Sequence, residues 1–492
     1  MERRTFLKIA GSGVVGAAVP ALAHESMPAA TSHAPAGPAA DYTLRIATGV
    51  VEVGPQRFLS LTTYNGSFPG PLIRLEEGRQ VTVNIYNDTD TPEQLHWHGQ
   101  RLPVSVDGAS EEGTPYIAAR GMRRVTFVPG PSGLRFYHTH LRAGSDLHLG
   151  QFSGQVGPVY IEPQQPGTLP YDREVFLTLK EFEPFFSQGG DMEMDILSPD
   201  TVDQELKKQG EDAMHASMAK GMKKGFEVGY RTFTINGRQL GFGEPIRVKR
   251  GERILFHVLN GSATENRSLA LPGHVFKVVA LDGNPVPKQA EVPVLWLGTA
   301  ERISAIVEMN HPGVWVLGDL ADDDRRDGMG IVIEYAGAKG KPAWRKPAPF
   351  RWDYRRFADP GRRAPPPDQT IDMLFEKDNA AVNGFNRWTI NGKAFDMAHM
   401  TADWRLQRGN RYRLRMRNAS DDLHPMHLHR HTFELTNVAG QPIAGVMKDV
   451  AMLGGYQTMN VDFTADQPGL TLLHCHMQLH MDFGFMGLFE TT

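Results

Sequence analysis

The sequence reads as all-β: three consecutive Greek-key β-sandwich domains, the middle one carrying a short helical insert that bears methionines. Three observations predict this. A passage running from Gly to Asn, with apolar or alternating strand residues between, occurs at Gly78–Asn87, Gly251–Asn260 and Gly409–Asn418. Upstream of each lies an Asn-Gly pair, Asn65-Gly66, Asn236-Gly237 and Asn391-Gly392, the composition of a two-residue hairpin turn. Downstream, a glycine leads five residues later to a marked position: Gly133 to His138, Gly313 to Gly318, Gly469 to His474. One such match is chance; three in register are an internal triplication, with the short strands and turn spacing of sandwiches.

Taken in order, the chain begins with Arg3-Arg4-Thr5-Phe6-Leu7-Lys8, a mild apolar run from Ile9 to Ala23, and a small-residue cleavage site at Ala21-Leu22-Ala23. Residues 1–23 therefore read as a twin-arginine signal peptide, which implies the twin-arginine export machinery as a partner and the periplasm as destination. The run is too short and glycine-broken to persist as a membrane span in the mature protein. Residues 24–40, rich in Ala and Pro, read as a disordered leader. Three domains are then expected at 41–165, 166–340 and 369–492, with a linker at 341–368. That fits 492 residues, 40% hydrophobic and 22% charged. A net charge of -4 gives no reason to expect nucleic acid or an anionic membrane. A lone cysteine, Cys475, excludes an internal disulfide framework. A monomer is expected.

The differences between the repeats carry the chemistry. The first repeat has His96-Trp97-His98-Gly99 and His138-Thr139-His140. The third has His424-Pro425-Met426-His427-Leu428-His429 and His474-Cys475-His476, with His480 close behind. The middle repeat has Arg267-Ser268-Leu269 and Gly318-Asp319-Leu320 at the corresponding places. On a strand, His-x-His puts both imidazoles on one face, and Cys475 faces away from His474 and His476. Eight imidazoles in four pairs, without carboxylates, together with one thiolate, suit copper better than zinc, calcium or magnesium.

On those motifs, HWHG, HTH, HPMHLH and HCHMQLH, the chain resembles the three-domain multicopper oxidases, the family of laccases, ascorbate oxidases and bacterial cuprous oxidases. The resemblance spans about residues 41–492. It implies cupredoxin-like domains and four copper ions: one type 1, one type 2 and two type 3. By motif position, His424, Cys475 and His480 match the type 1 ligands, and His96 and His427 the type 2 ligands. His98, His138 and His476 match one type 3 copper, and His140, His429 and His474 the other. It also implies single electrons taken from a small reductant, Cu(I) or a phenol, and delivered past Cys475 to a cluster that reduces O2 to water. Asp107, eleven residues after His96, stands where the family keeps a carboxylate near the cluster; Asp107-Gly108 is also a strong turn pair.

Two positions depart from the family pattern. Many bacterial members carry Glu directly after the second type 1 histidine, as a proton relay; here it is Met481, and strand alternation would start Asp482 from the other face. The axial position is Phe485, with Met486 next to it. Met214, Met218 and Met222 recur every four residues in a helix-forming stretch, Thr201 to Lys224. Their thioethers make a possible Cu(I) site, or simply a packing stripe. A periplasmic copper-binding resistance protein that sequesters metal is the competing non-enzymatic reading. A copper nitrite reductase does not need four His-x-His pairs.

Overall fold

A computed structural model describes residues 39–165, 167, 169–187, 201–219 and 225–492. The signal segment, the leader through residue 38, and Met192, Met194 and Met222 lie outside them.

All three repeat passages are strands, and all three occupy the same place. Val81–Asn87 runs parallel to Tyr42–Gly54 and antiparallel to Met122–Phe127. Arg253–Asn260 runs parallel to Arg173–Phe182 and antiparallel to Arg302–Glu308. Arg411–Asn418 runs parallel to Gln369–Val382 and antiparallel to Thr458–Thr464. A second sheet completes each sandwich, and the two sheets have four and four, six and five, and six and five strands in chain order.

Two asparagines per repeat explain why the pattern is so regular. The Asn-Gly pairs adopt the left-handed backbone a two-residue hairpin needs, with φ of 55 and 73° at Asn65-Gly66, 52 and 72° at Asn236-Gly237, and 52 and 76° at Asn391-Gly392. Each asparagine also reaches back to the first strand of its domain. Asn65 Oδ1 accepts from Arg45 N, Asn236 Oδ1 from Thr178 N and Asn391 Oδ1 from Leu374 N, at 2.7, 2.7 and 2.8 Å. The asparagine ending the central strand is buried in all three repeats. Its amide donates to carbonyls across the following loop: Thr91, Ile117 and Ala118 for Asn87, Glu265 and Leu297 for Asn260, Asp422 and Gly454 for Asn418. That loop delivers His96 in the first repeat, Arg267 in the middle one and His424 in the third.

The first sandwich has its own apolar core, while the middle and third share one. A smaller cluster joins Phe136, Phe182, Leu259 and Val450 across all three. The motif strands lie in the second sheets. His96–His98 pairs with Gly133–His138, setting His96 opposite His138, and His424–Leu428 pairs with Gly469–Cys475, setting His427 opposite His474. Among the described residues no helix is long and apolar enough to cross a membrane.

Candidate metal centre

His424 opens its strand, Cys475 ends the neighbouring one, and His480 sits in the helical turn Gln478–Asp482 that follows. Cys475 Sγ lies 3.7 Å from His424 Nδ1 and 3.5 Å from His480 Nδ1, and the two nitrogens are 3.2 Å apart. Burial pushes the Cys475 thiol well up and lowers both histidines, His480 to about 4. Two neutral imidazoles and a thiol that ionises only beside a cation make a soft metal site. Ser420 Oγ holds His424 Nε2 at 3.0 Å, and Trp388 stacks on His480 at 4.0 Å. The Phe485 ring stands edge-on to His424, with centroids 4.7 Å apart. Met486 packs elsewhere, with Leu472, Met481 and Leu488, so Phe485 is the aromatic neighbour of this site.

The eight histidines of the His-x-His pairs are buried where the first and third sandwiches meet. His140, His429 and His474 offer donor atoms within 4.8 Å of one another, as do His96, His427 and His429, and His96, His98 and His138. His476 stands 5.1 Å from His98 and 5.0 Å from His138, ring centre to ring centre. One nitrogen of most rings is tied down: His138 Nδ1 to Thr139 O, His427 Nδ1 to Asp449 O, His474 Nδ1 to Cys475 O. The nitrogens left over, His96 Nε2, His98 Nδ1, His138 Nε2, His140 Nε2, His427 Nε2 and both of His476, are buried with no protein partner. Burial first, and the neighbouring rings second, push His98, His427, His429 and His476 well below the ordinary imidazole value. At His140, burial lowers the ring and Glu111 more than reverses this. Buried rings, most with one nitrogen tied down and the other's lone pair unpartnered, fit a copper cluster.

Three carboxylates line one side of the cluster. Asp107 is both turn residue and neighbour: Gly108 ends its helical turn at φ 105°, and Asp107 Oδ2 lies 3.0 Å from both His96 Nδ1 and His429 Nδ1. Sequence reasoning missed the other two. Glu111 Oε2 is 3.3 Å from His140 Nδ1; burial raises this carboxyl, and His140 more than reverses the shift. Glu112 accepts from Leu472 N at 2.7 Å and approaches His429 Nδ1 at 3.6 Å; burial, then Asp107, holds it well above the carboxylate range. The adjacent acidic pair was the available signal.

The alternation argument at Asp482 needs correction, because residues Gln478–Asp482 form a helical turn and not a strand. The Asp482 carboxylate accepts from Ala143 N at 2.8 Å and Gly144 N at 2.7 Å, just past His140, and burial raises it to about 6. It ties the third sandwich to the first beside the cluster.

The insert forms a helix, Gln204–Ala219, fixed by buried Leu206 and by Gly210 lying against Ala419 O. It covers the loop whose Ser420 holds His424. A spacing of four drifts about 40° per step around a helix. Met214 is accordingly half-buried and Met218 58% exposed.

A thiol–imidazole site joined through one strand to an eight-imidazole cluster is the frame of a copper oxidoreductase. Family models described as multicopper oxidase match residues 48–166, 203–327 and 363–492. The chain belongs to the multicopper oxidase family. It is 28% identical over 435 residues to multicopper oxidase MmcO of Mycobacterium tuberculosis, covering 86% of this chain and 81% of that one. Over 333 residues it is 28% identical to copper resistance protein A of Pseudomonas syringae pv. tomato, covering 62% and 52%. The crystal structure of the multi-copper oxidase from Pseudomonas thermotolerans shares the fold at TM-score 0.66 and 23% identity, over 92% of this chain and all of that one. The three sandwiches are thus cupredoxin-like.

Proposed function

We propose that this is an exported, monomeric multicopper oxidase of the periplasm, taking single electrons from Cu(I) or a phenol beside His480 and passing them to O2 at the eight-histidine cluster. The observation that carries this reading is Cys475: its thiol faces His424 and His480, while its chain neighbours His474 and His476 face the cluster. One covalent path therefore joins the two sites. His424, Cys475 and His480 would hold type 1 copper, and His96 and His427 type 2. His98, His138 and His476 would hold one type 3 ion, and His140, His429 and His474 the other. Copper bound there supplies the one-electron couple and the four-electron reduction of O2 to water.

The chain's own residues do the rest. Thr139, Asp449 and Cys475 carbonyls fix the tautomers of His138, His427 and His474, so these three imidazoles need not turn during turnover. Asp107 Oδ2, between His96 and His429, is placed to take up a proton and hand it on where O2 needs protons. Export by the twin-arginine route, read from residues 3–23, would carry the protein across already folded and loaded.

Pure sequestration is not favoured, since a metal store needs neither the Cys475 link nor an inward-facing cluster. O2 uptake by the copper-loaded protein tests the proposal, with kcat/KM compared for Cu(I) and a bulky phenol. Uptake with either donor supports an oxidase and ranks the substrates; copper binding without uptake contradicts it.

A further inference from the structure

Asp449 is fully buried where the three sandwiches meet, and it touches ligand candidates from two of them. Its carbonyl accepts from His427 Nδ1 at 2.7 Å, and its Oδ1 accepts from His98 Nε2 at 3.0 Å. His98 is thereby reversed relative to His138 and His427. Those rings bind the protein through Nδ1 and leave Nε2 open; His98 binds through Nε2 and leaves Nδ1 open.

The middle sandwich holds Asp449 in place. Arg302 meets the carboxylate with two parallel bonds, Nη1 to Oδ1 at 2.7 Å and Nη2 to Oδ2 at 2.6 Å, and Arg135 of the first sandwich adds Nη1 to Oδ2 at 3.2 Å. Asp282 Oδ2 accepts from both Asp449 N and Val450 N, at 3.2 and 3.1 Å, and pairs with Lys448 Nζ at 2.9 Å. Room for this clamp is made by Gly99, the last residue of the HWHG motif. A Cβ there would lie 2.7 Å from Asp449 Oδ2 and 2.8 Å from Arg302 Nη2.

We propose that Asp449 is a positioning residue: clamped by Arg302 and Arg135, it sets His98 in the Nε2–H tautomer so that Nδ1 faces the cluster. The middle sandwich, which carries none of the candidate ligands, thus acts on the cluster through Arg302. The proposal rests on the copper reading above for its consequence, but the tautomer itself does not depend on it.

The first test uses copper-free wild-type protein labelled with 15N in histidine, with the His98 resonances assigned by loss in His98→Gln. The expected result is the Nε2–H tautomer; an Nδ1–H tautomer overturns the proposal. The second loads Asp449→Asn and Arg302→Lys with Cu(II). Asparagine must turn its NH2 toward a guanidinium or toward His98, and lysine loses the two-pronged bond. The expected outcome is a blue band of wild-type intensity per chain, with the near-UV absorption of the coupled cupric pair lost and copper at the cluster held about 10- to 100-fold more weakly. A merely structural role would lower Tm and leave the near-UV band and copper count at wild-type values, which contradicts the proposal. Should Asp449→Asn not fold, the wild-type tautomer and Arg302→Lys still decide. A wild type that takes up no copper would fail the copper reading separately, leaving the tautomer result to stand on its own.

Discussion

The outer repeats and the middle repeat share one frame and fill it in opposite ways. Where the third repeat presents His424 and the first His96, the middle one presents Arg267. Its guanidinium pairs with Glu181 at 3.0 Å and also meets Asp324, while Ser268 Oγ donates to Asp319 Oδ1 at 2.9 Å. Burial disfavours the Arg267 cation, and the Glu181 and Asp324 carboxylates more than offset that. The buried Arg267 charge is thus answered by carboxylates inside the protein. In the outer repeats, buried imidazole nitrogens face one another without partners. The same β-frame yields a structural ion-pair cluster when its polar groups are complementary, and a metal site when they are all donors of the same kind.

Breaking the comparison at its chemical end has the largest expected effect. Cys475→Ser should abolish the blue band and O2 uptake while leaving the cluster's copper in place, since the thiolate faces only His424 and His480; absorption, EPR and copper analysis check this. Breaking it at the structural end should look different. Arg267→Leu leaves the buried Glu181 carboxylate without its cation and should cost about 3–5 kcal/mol of stability, read by denaturant unfolding, with copper content per folded chain unchanged. Next, Asp107→Asn should lower kcat about 100-fold and spare the blue band, because it removes a carboxyl that delivers protons without removing a ligand. Stopped-flow reduction of the blue site, unchanged in rate, would place the loss at the O2 step.

How much was legible in the sequence follows from what is local. The repeats and the Asn-Gly turns are set by spacings of a few residues and lie where such spacing puts them; of the His-x-His pairs His96 and His98 share a strand, while His140, His429 and His476 stand just past the ends of theirs. The sequence is silent on partners joined only by folding: Asp449 meets His98 from 351 residues away, and Glu111 meets His140 only because a short turn follows Asp107. Asp482 was misread because alternation holds for strands, and the chain turns helical after Met477. The methionine stripe was half legible. The helix is there, but 3.6 residues per turn carries Met218 out toward solvent, and Met222 lies outside the described residues.

Smaller effects sharpen the picture around the Cys475 site. Phe485 offers no lone pair, so Phe485→Met should add a weak axial donor, favour Cu(II) and lower the potential by tens of millivolts, where about 59 mV equals about 1.4 kcal/mol. Met486→Leu should leave the potential unchanged, because Met486 packs with Leu472 and Met481; redox titration of both variants checks this. The least expected change is in the insert. Replacing Met214, Met218 and Met222 with Leu should alter stability by less than about 1.5 kcal/mol and slow Cu(I) oxidation while sparing small phenols. Equal effects on both donors would make the stripe packing alone.

The most direct test of the account is a reductive titration of copper-loaded protein without O2, followed by admission of O2. Two sites wired through Cys475 should accept about four electrons per chain, with the blue band bleached, and should recover the full blue on about one equivalent of O2 without peroxide. A blue band that bleaches after about one electron and does not return with O2 would mean that the Cys475 site and the cluster do not act together, and would contradict the account.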